Sequence, residues 1–110
     1  MPYIPNKGDI VIMDFDPQVG FEQNGRRPAL VVSNKNYNIH CKMAMVCPIT
    51  NNDKGHAFHV RLGNNAQTTG VVLCDQVRAL DVNARNAMYV ESVPHDVLSE
   101  VVDLICSFVE

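Results

Sequence analysis

Residues 20–28 read Gly20-Phe21-Glu22-Gln23-Asn24-Gly25-Arg26-Arg27-Pro28, a polar segment that closes on paired arginines between two apolar runs. Two guanidiniums delivered to the start of a strand are planar, permanently charged donor forks of the kind that grip phosphate. Loops held by a rigid scaffold carry a large share of binding and catalysis. Pro28 biases the residue before it toward extended backbone, so Arg27 is aimed more firmly than Arg26. Taken alone, the same residues also allow a structural salt bridge from Arg27 to Glu22 or Asp75.

The charge pattern supports a phosphate-bearing partner. The 110 residues carry nine Lys and Arg against twelve Asp and Glu, a net charge of −3. From residue 91 onward there are five acids (Glu91, Asp96, Glu100, Asp103, Glu110) and no Lys or Arg, so residues 1–90 carry nine basic against seven acidic side chains, or +2. Between Glu22 and Arg61 the count is six basic (Arg26, Arg27, Lys35, Lys42, Lys54, Arg61) against two acidic, with His40, His56 and His59 in the same span. A local excess of this kind attracts phosphates although the chain as a whole is acidic, or is a set of ordinary solvated loop charges.

Other chemistries find less support. Cys41, Cys47, Cys74 and Cys106 lie 6, 27 and 32 apart, which matches neither a CxxC pair nor a zinc-ligand spacing. They read as reduced and mostly buried thiols. Lys7, Asp9, Asp14 and Asp16 interrupt the first apolar run, so no signal-peptide or membrane-spanning segment is expected, and the chain reads as soluble and cytoplasmic.

The elements that must position these residues are short. Residues 9–15 are rich in β-branched side chains and end at the Asp16-Pro17 turn signal; residues 29–33 are apolar on both faces, as in a central strand. Further strands are predicted over residues 43–49, 57–62, 70–74 and 88–93, with Cys47-Pro48 expected at a strand end or edge because proline cannot donate to a ladder. Asn-rich joints at residues 34–38, 51–52 and 64–65 supply turns. Val97, Leu98, Val101, Val102, Leu104, Ile105, Phe108 and Val109 then recur at helical spacing, with Pro94 in the first turn and Asp96 at the helix start. The pattern predicts a single, mainly β domain: an antiparallel sheet curled into a small barrel, closed by one amphipathic helix.

Within this frame, Gly8-Asp9-Ile10, Asp14-Phe15-Asp16-Pro17, Gly20-Phe21-Glu22-Gln23 and Arg27-Pro28-Ala29-Leu30-Val31 follow one another in an order that resembles the MazF/PemK/Kid toxins of bacterial type II toxin–antitoxin systems. Pro48-Ile49-Thr50, Thr69-Gly70-Val71-Val72-Leu73-Cys74-Asp75-Gln76-Val77-Arg78 and the Asp81…Arg85 block continue the match across almost the whole chain. The resemblance implies an SH3-like, CcdB-like barrel that acts as a homodimer. It further implies an mRNA interferase, an endoribonuclease that cuts single-stranded RNA at specific sequences without a metal or other cofactor. Cleavage by the 2′-hydroxyl leaves 2′,3′-cyclic phosphate and 5′-hydroxyl ends and inhibits translation and growth. A cognate antitoxin silences such toxins by laying an extended, acidic C-terminal tail over the RNA surface.

Carried over residue by residue, the resemblance makes Arg27 and Thr50 the catalytic pair, with Glu22 and Asp75 as further candidates. A fixed guanidinium suits the charge that builds on a phosphorane, and a threonine hydroxyl both donates and accepts. Kid-like members carry a histidine where this chain has Phe21 and an arginine where it has Leu73, so the chain is closer to the MazF branch. RNA-binding candidates are Gln18, Phe21, Gln23, Asn24 and Arg26 in the first loop, Asn51, Lys54, His56 and Phe58 in the second, and Gln76 and Arg78 in the later block. Their amides, cations and rings suit unstacked bases and the backbone of single-stranded RNA. Two rival readings are a gyrase-poisoning toxin like CcdB and a non-catalytic SH3-like RNA-binding module. The first depends on a C-terminal tryptophan, and this chain has no tryptophan; the second leaves the joint presence of Arg27, Thr50 and Asp75 to chance.

Overall fold

Both faces of the first strands are covered in the computed structural model, which describes residues 2–15, 25–53, 55 and 57–110. Strands β1 (Asp9–Asp14), β2 (Arg26–Val31) and β3 (Ala44–Thr50) form the centre of the sheet. Ile10, Leu30, Cys47 and Ile49 belong to one buried cluster, and Val11, Met13, Ala29, Val31, Ala44 and Val46 to another on the opposite side. Burial on both sides is why these runs are almost continuously apolar rather than alternating. Each buried Val, Leu, Ile or Met side chain among them contributes about 1.5–3 kcal/mol on leaving water.

The remaining elements are α1 (Lys35–Cys41), β4 (His59–Arg61), β5 (Val71–Leu73), a 3₁₀ turn over Cys74–Gln76, β6 (Arg78–Leu80), β7 (Met88–Ser92) and α2 (His95–Ser107). The sheet runs β4-β5-β3-β2-β1-β7, with β6 also on β3 and each pairing antiparallel. One edge of β3 therefore serves two partners, β6 beside Ala44, Met45 and Val46 and β5 beside Ile49 and Thr50. This fork coils the sheet into the small barrel-like form expected, and α2 covers one side of it through the fully buried Val101 and the flanking Val97, Leu98, Leu104 and Ile105.

Four expectations are corrected. Pro48 lies inside a central strand, opposite Ala29 of β2. Val32 donates its backbone N–H to the Met45 carbonyl, so by antiparallel alternation the nitrogen of Pro48 faces the other edge, where β3 changes partner and a donor is not required. The Asn-rich segment at 34–38 opens a helix rather than a turn: Asn34 caps it by accepting from Tyr37 N, and the buried Asn38 donates to the carbonyls of Pro5 and Ser33. Pro94 is the N-cap of α2, one residue before its first turn. Cys47 and Cys74 are buried, but Cys41 and Cys106 are exposed at the ends of the two helices. Strand β6 had no sequence signal, being three residues long with Ala79 exposed.

Candidate active site

Arg27 and Thr50 reach the site from neighbouring strands. β2 and β3 pair as Ala29↔Pro48, Leu30↔Cys47 and Val31↔Val46. Continuing that register two residues brings Arg27 level with Thr50, and the ladder then passes through Val71 of β5 to Arg61 of β4. Because Arg27 also pairs with Met13, whose side chain lies in the cluster away from α2, this row faces away from the helix. Strand alternation puts His59 on the same side, and Arg78, paired with Val46, joins them. A single face of the sheet thus carries Arg27, Thr50, His59, Arg61 and Arg78, with Arg27, Thr50, His59 and Arg78 half-buried and Arg61 exposed.

Two carboxylates temper that positive face. Asp75, in the 3₁₀ turn after β5, stands 3.6 Å from His59 Nε2. Asp53 accepts from Arg61 Nε at 3.0 Å and from Gly55 N at 2.8 Å. The Gly55 hydrogen bond, followed by the charge of Arg61, holds the Asp53 carboxyl below its ordinary value, so it stays ionised.

Thr50 ends β3 with its hydroxyl oriented. Its Oγ1 accepts from Asn52 N at 3.1 Å, which leaves the hydroxyl proton to be donated elsewhere. The next residue, Asn51, is exposed and accepts at Oδ1 from Thr69 Oγ1, 2.9 Å away. Neither Thr69 nor Asp53 was among the expected site residues, and the only hint of Thr69 in the sequence is its place before Gly70-Val71.

The two arginines part company. Arg26 donates from Nη1 to Asp14 Oδ1 at 3.1 Å and from Nη2 to the Asn86 carbonyl at 2.9 Å. Asp14 also accepts from Asn86 Nδ2; that hydrogen bond first, and Arg26 second, lower its pKa. Arg26 therefore ties the outer end of β2 to β1 and to the turn before β7. Phe58, an RNA-binding candidate, meets Phe108 at the end of α2, edge to face with centroids 5.0 Å apart, and both rings stay partly exposed. Gln76 is half-buried in the 3₁₀ turn. The candidates Gln18, Phe21, Glu22, Gln23, Asn24, Lys54 and His56 lie outside the described residues.

Among the described residues, no three His, Cys, Asp or Glu side chains are grouped to hold a metal ion, and no helix is long and apolar enough to cross a membrane. Burial raises the thiol pKa of Cys47, and pushes that of Cys74 up to about 12. Such thiols are poor nucleophiles.

Known proteins with this sequence pattern and fold agree closely. Residues 6–109 match the family described as PemK-like, MazF-like toxin of type II toxin-antitoxin system. The chain is 42% identical over 85 residues to the endoribonuclease toxin MazF of Escherichia coli K12, covering 77% of this chain and 76% of that protein. It is 38% identical over 99 residues to the Escherichia coli endoribonuclease PemK, covering 86% and 74%, which favours the MazF side of the family. The crystal structure of MazF from Deinococcus radiodurans superposes with a TM-score of 0.92 at 42% identity, covering 97% of each chain. A MazE–MazF structure from the same organism superposes at 0.86 with 40% identity and again 97% of each chain. Matched over residues 6–109 by the family and superposed over 97% of its length on a MazF structure, the chain belongs to the PemK-like, MazF-like toxins of type II toxin–antitoxin systems.

Proposed function

We propose that this chain is an mRNA interferase that cuts single-stranded RNA at specific sequences, without a metal, by attack of the 2′-hydroxyl on the adjacent phosphorus. The observation that carries the reading is the β2–β3 register through Ala29↔Pro48, which, continued two residues, brings Arg27 level with Thr50 on the face of the sheet away from α2. In the reaction the new bond runs from the 2′-oxygen to phosphorus and the bond to the 5′-oxygen breaks, leaving a 2′,3′-cyclic phosphate and a 5′-hydroxyl. Negative charge builds on the non-bridging oxygens midway. The planar guanidinium of Arg27 donates two charge-assisted hydrogen bonds to them, strongest when the charge is greatest. Thr50, its oxygen already engaged by Asn52 N, donates its proton to the same group and fixes the phosphate for in-line attack.

The proton leaving the 2′-hydroxyl goes to a carboxylate, for which Glu22 and Asp75 are the candidates, and a proton returns to the departing 5′-oxygen. Arg61 and Arg78 extend the positive face along the path of the strand, with Asn51 and Gln76 as amide contacts. Arg26 positions the end of β2 rather than touching the reacting phosphate.

The toxin works as a homodimer in the cytoplasm, where cleavage of mRNA stops translation and growth. Its antitoxin carries an extended acidic tail that competes with RNA for the same arginines, since carboxylates and phosphates share their geometry. The test is incubation of the purified chain with mixed-sequence RNA in excess EDTA. The expected fragments have 5′ ends that a polynucleotide kinase labels without prior phosphatase treatment. Absence of cleavage, or a strict need for a divalent ion, would overturn the reading.

A further inference from the structure

The end of β3 and the start of β5 approach more closely than a side chain would allow. One residue past the Thr50↔Val71 pair, Gly70 comes level with Asn51. A β-carbon on Gly70 would stand 2.4 Å from the Thr50 carbonyl oxygen, 2.8 Å from its carbon and 3.1 Å from Asn51 Oδ1, and Gly70 has a φ of +115°. This contact sets Thr69 where its hydroxyl donates to Asn51 Oδ1 at 2.9 Å. The carbonyl end of the Asn51 amide is thereby tethered, and among the described residues no acceptor engages its Nδ2. Asn51 itself is exposed and follows directly on Thr50.

An untethered asparagine reads adenine with both ends at once, its oxygen accepting from the amino group while its nitrogen donates to the ring. With one lone pair of Oδ1 taken by Thr69 and the amide fixed in that orientation, Oδ1 is turned toward Thr69 and Nδ2 away from it, so the group meets a base chiefly as a donor. We propose that Thr69 is a specificity-determining positioning residue: by orienting the Asn51 amide, it makes the toxin favour a base that presents a carbonyl at O4 or O6, uracil or guanine, over cytosine or adenine, which present an amino group there, at one nucleotide flanking the scissile phosphate. The proposal rests on the ribonuclease reading above and names part of its substrate class.

The experiment maps 5′-hydroxyl ends from an RNA library for the wild-type chain and for Thr69→Val, Thr69→Ser and Asn51→Asp, with melting temperatures confirming that each is folded. Wild type and Thr69→Ser should share a preference for uracil or guanine at one flanking position. Thr69→Val, which keeps the shape and removes the donor, should lose about tenfold of that discrimination, the scale of one base contact. Asn51→Asp, an acceptor only, should shift preference toward adenine or cytosine. A wild type that cuts RNA with no preference for uracil or guanine beside the cut, or a Thr69→Val variant that keeps the preference in full, overturns this inference and leaves the ribonuclease reading standing. A wild type that cuts nothing overturns both.

Discussion

Arg26 and Asp14 face each other across β2 and β1, guanidinium to carboxylate at 3.1 Å, while the adjacent Arg27 pairs with Met13 on the opposite face. Consecutive arginines on a strand point to opposite sides, so their substitutions should separate cleanly. Arg27→Ala should lower kcat by two orders of magnitude or more, about 2.7 kcal/mol of transition-state stabilisation, with little change in melting temperature. Arg26→Ala should do the reverse, lowering the melting temperature slightly, as loss of a solvent-exposed pair does, and leaving most of the activity. Single-turnover cleavage beside thermal melts of both variants checks this, and equal rate losses would refute the division of labour.

Thr50 can be examined through its hydroxyl alone. Thr50→Ser keeps the donor and should retain cleavage within about tenfold, whereas Thr50→Val keeps the shape, removes the donor and should slow it about a hundredfold. The measurement is kcat at saturating RNA; a Val variant as fast as the Ser variant would relieve Thr50 of its role.

Gly70→Ala is predicted to damage both fold and rate. The new methyl would meet backbone atoms of Thr50, which cannot swing away as a flexible side chain can, at a φ of +115° that alanine disfavours. Destabilisation of about 2–3 kcal/mol should appear in urea melts, with a fall in kcat from the displaced strand end.

Glu91 on β7 anchors the loop before β5, accepting from Thr68 N and Thr68 Oγ1, each at 2.7 Å, and from Gln67 N at 3.1 Å. Burial works against its ionisation, but the hydrogen bonds from Thr68 and Gln67 together prevail and lower its pKa from the ordinary 4.5. A carboxyl whose pKa is depressed by folding contributes stability that is full above its unfolded value and is lost as pH falls through the folded one. Glu91→Gln should therefore melt below wild type at pH 7, with the gap closing as the pH drops below 4.5 and further toward the folded value. A gap that stays constant from pH 7 to pH 3 would contradict the assignment.

The four thiols should fall into two classes. Cys41 and Cys106 are exposed and should react with a thiol reagent in the native protein, while Cys47 and Cys74 should react only as the chain unfolds. Burial, then the nearby charges of Asp75 and Glu100, push the Cys74 thiol up to about 12, so near pH 8 it offers almost no thiolate. Native labelling of all four at similar rates would show that the core opens.

Much of this was legible in the residues. Apolar runs on β1, β2 and β3 and the helical spacing of α2 identify the scaffold, because hydrophobic period acts locally, while the Arg27-Pro28 and Pro48-Ile49-Thr50 blocks give the candidate pair through the family resemblance they carry. The short elements escaped. Residues 34–38 have the composition of a turn and also that of a capped helix start, and only the buried hydrogen bonds of Asn38 to Pro5 and Ser33 select the helix. β6 exists because β3 offers it an edge.

What the sequence determined by itself was which side chains are available and which stretches must be buried, since both follow from residue type and near-neighbour spacing. The tertiary structure decided which of them meet. The β2–β3 register, continued two residues past Ala29↔Pro48, levels Arg27 with Thr50, residues 23 positions apart in the chain. The clamp of Arg26 on Asp14 and Asn86, the His59–Asp75 approach and the seat of Thr69 on Asn51 all arise from strand partners distant in sequence. Pairing between distant strands is fixed by the burial of the whole sheet, a cooperative property that no local pattern encodes.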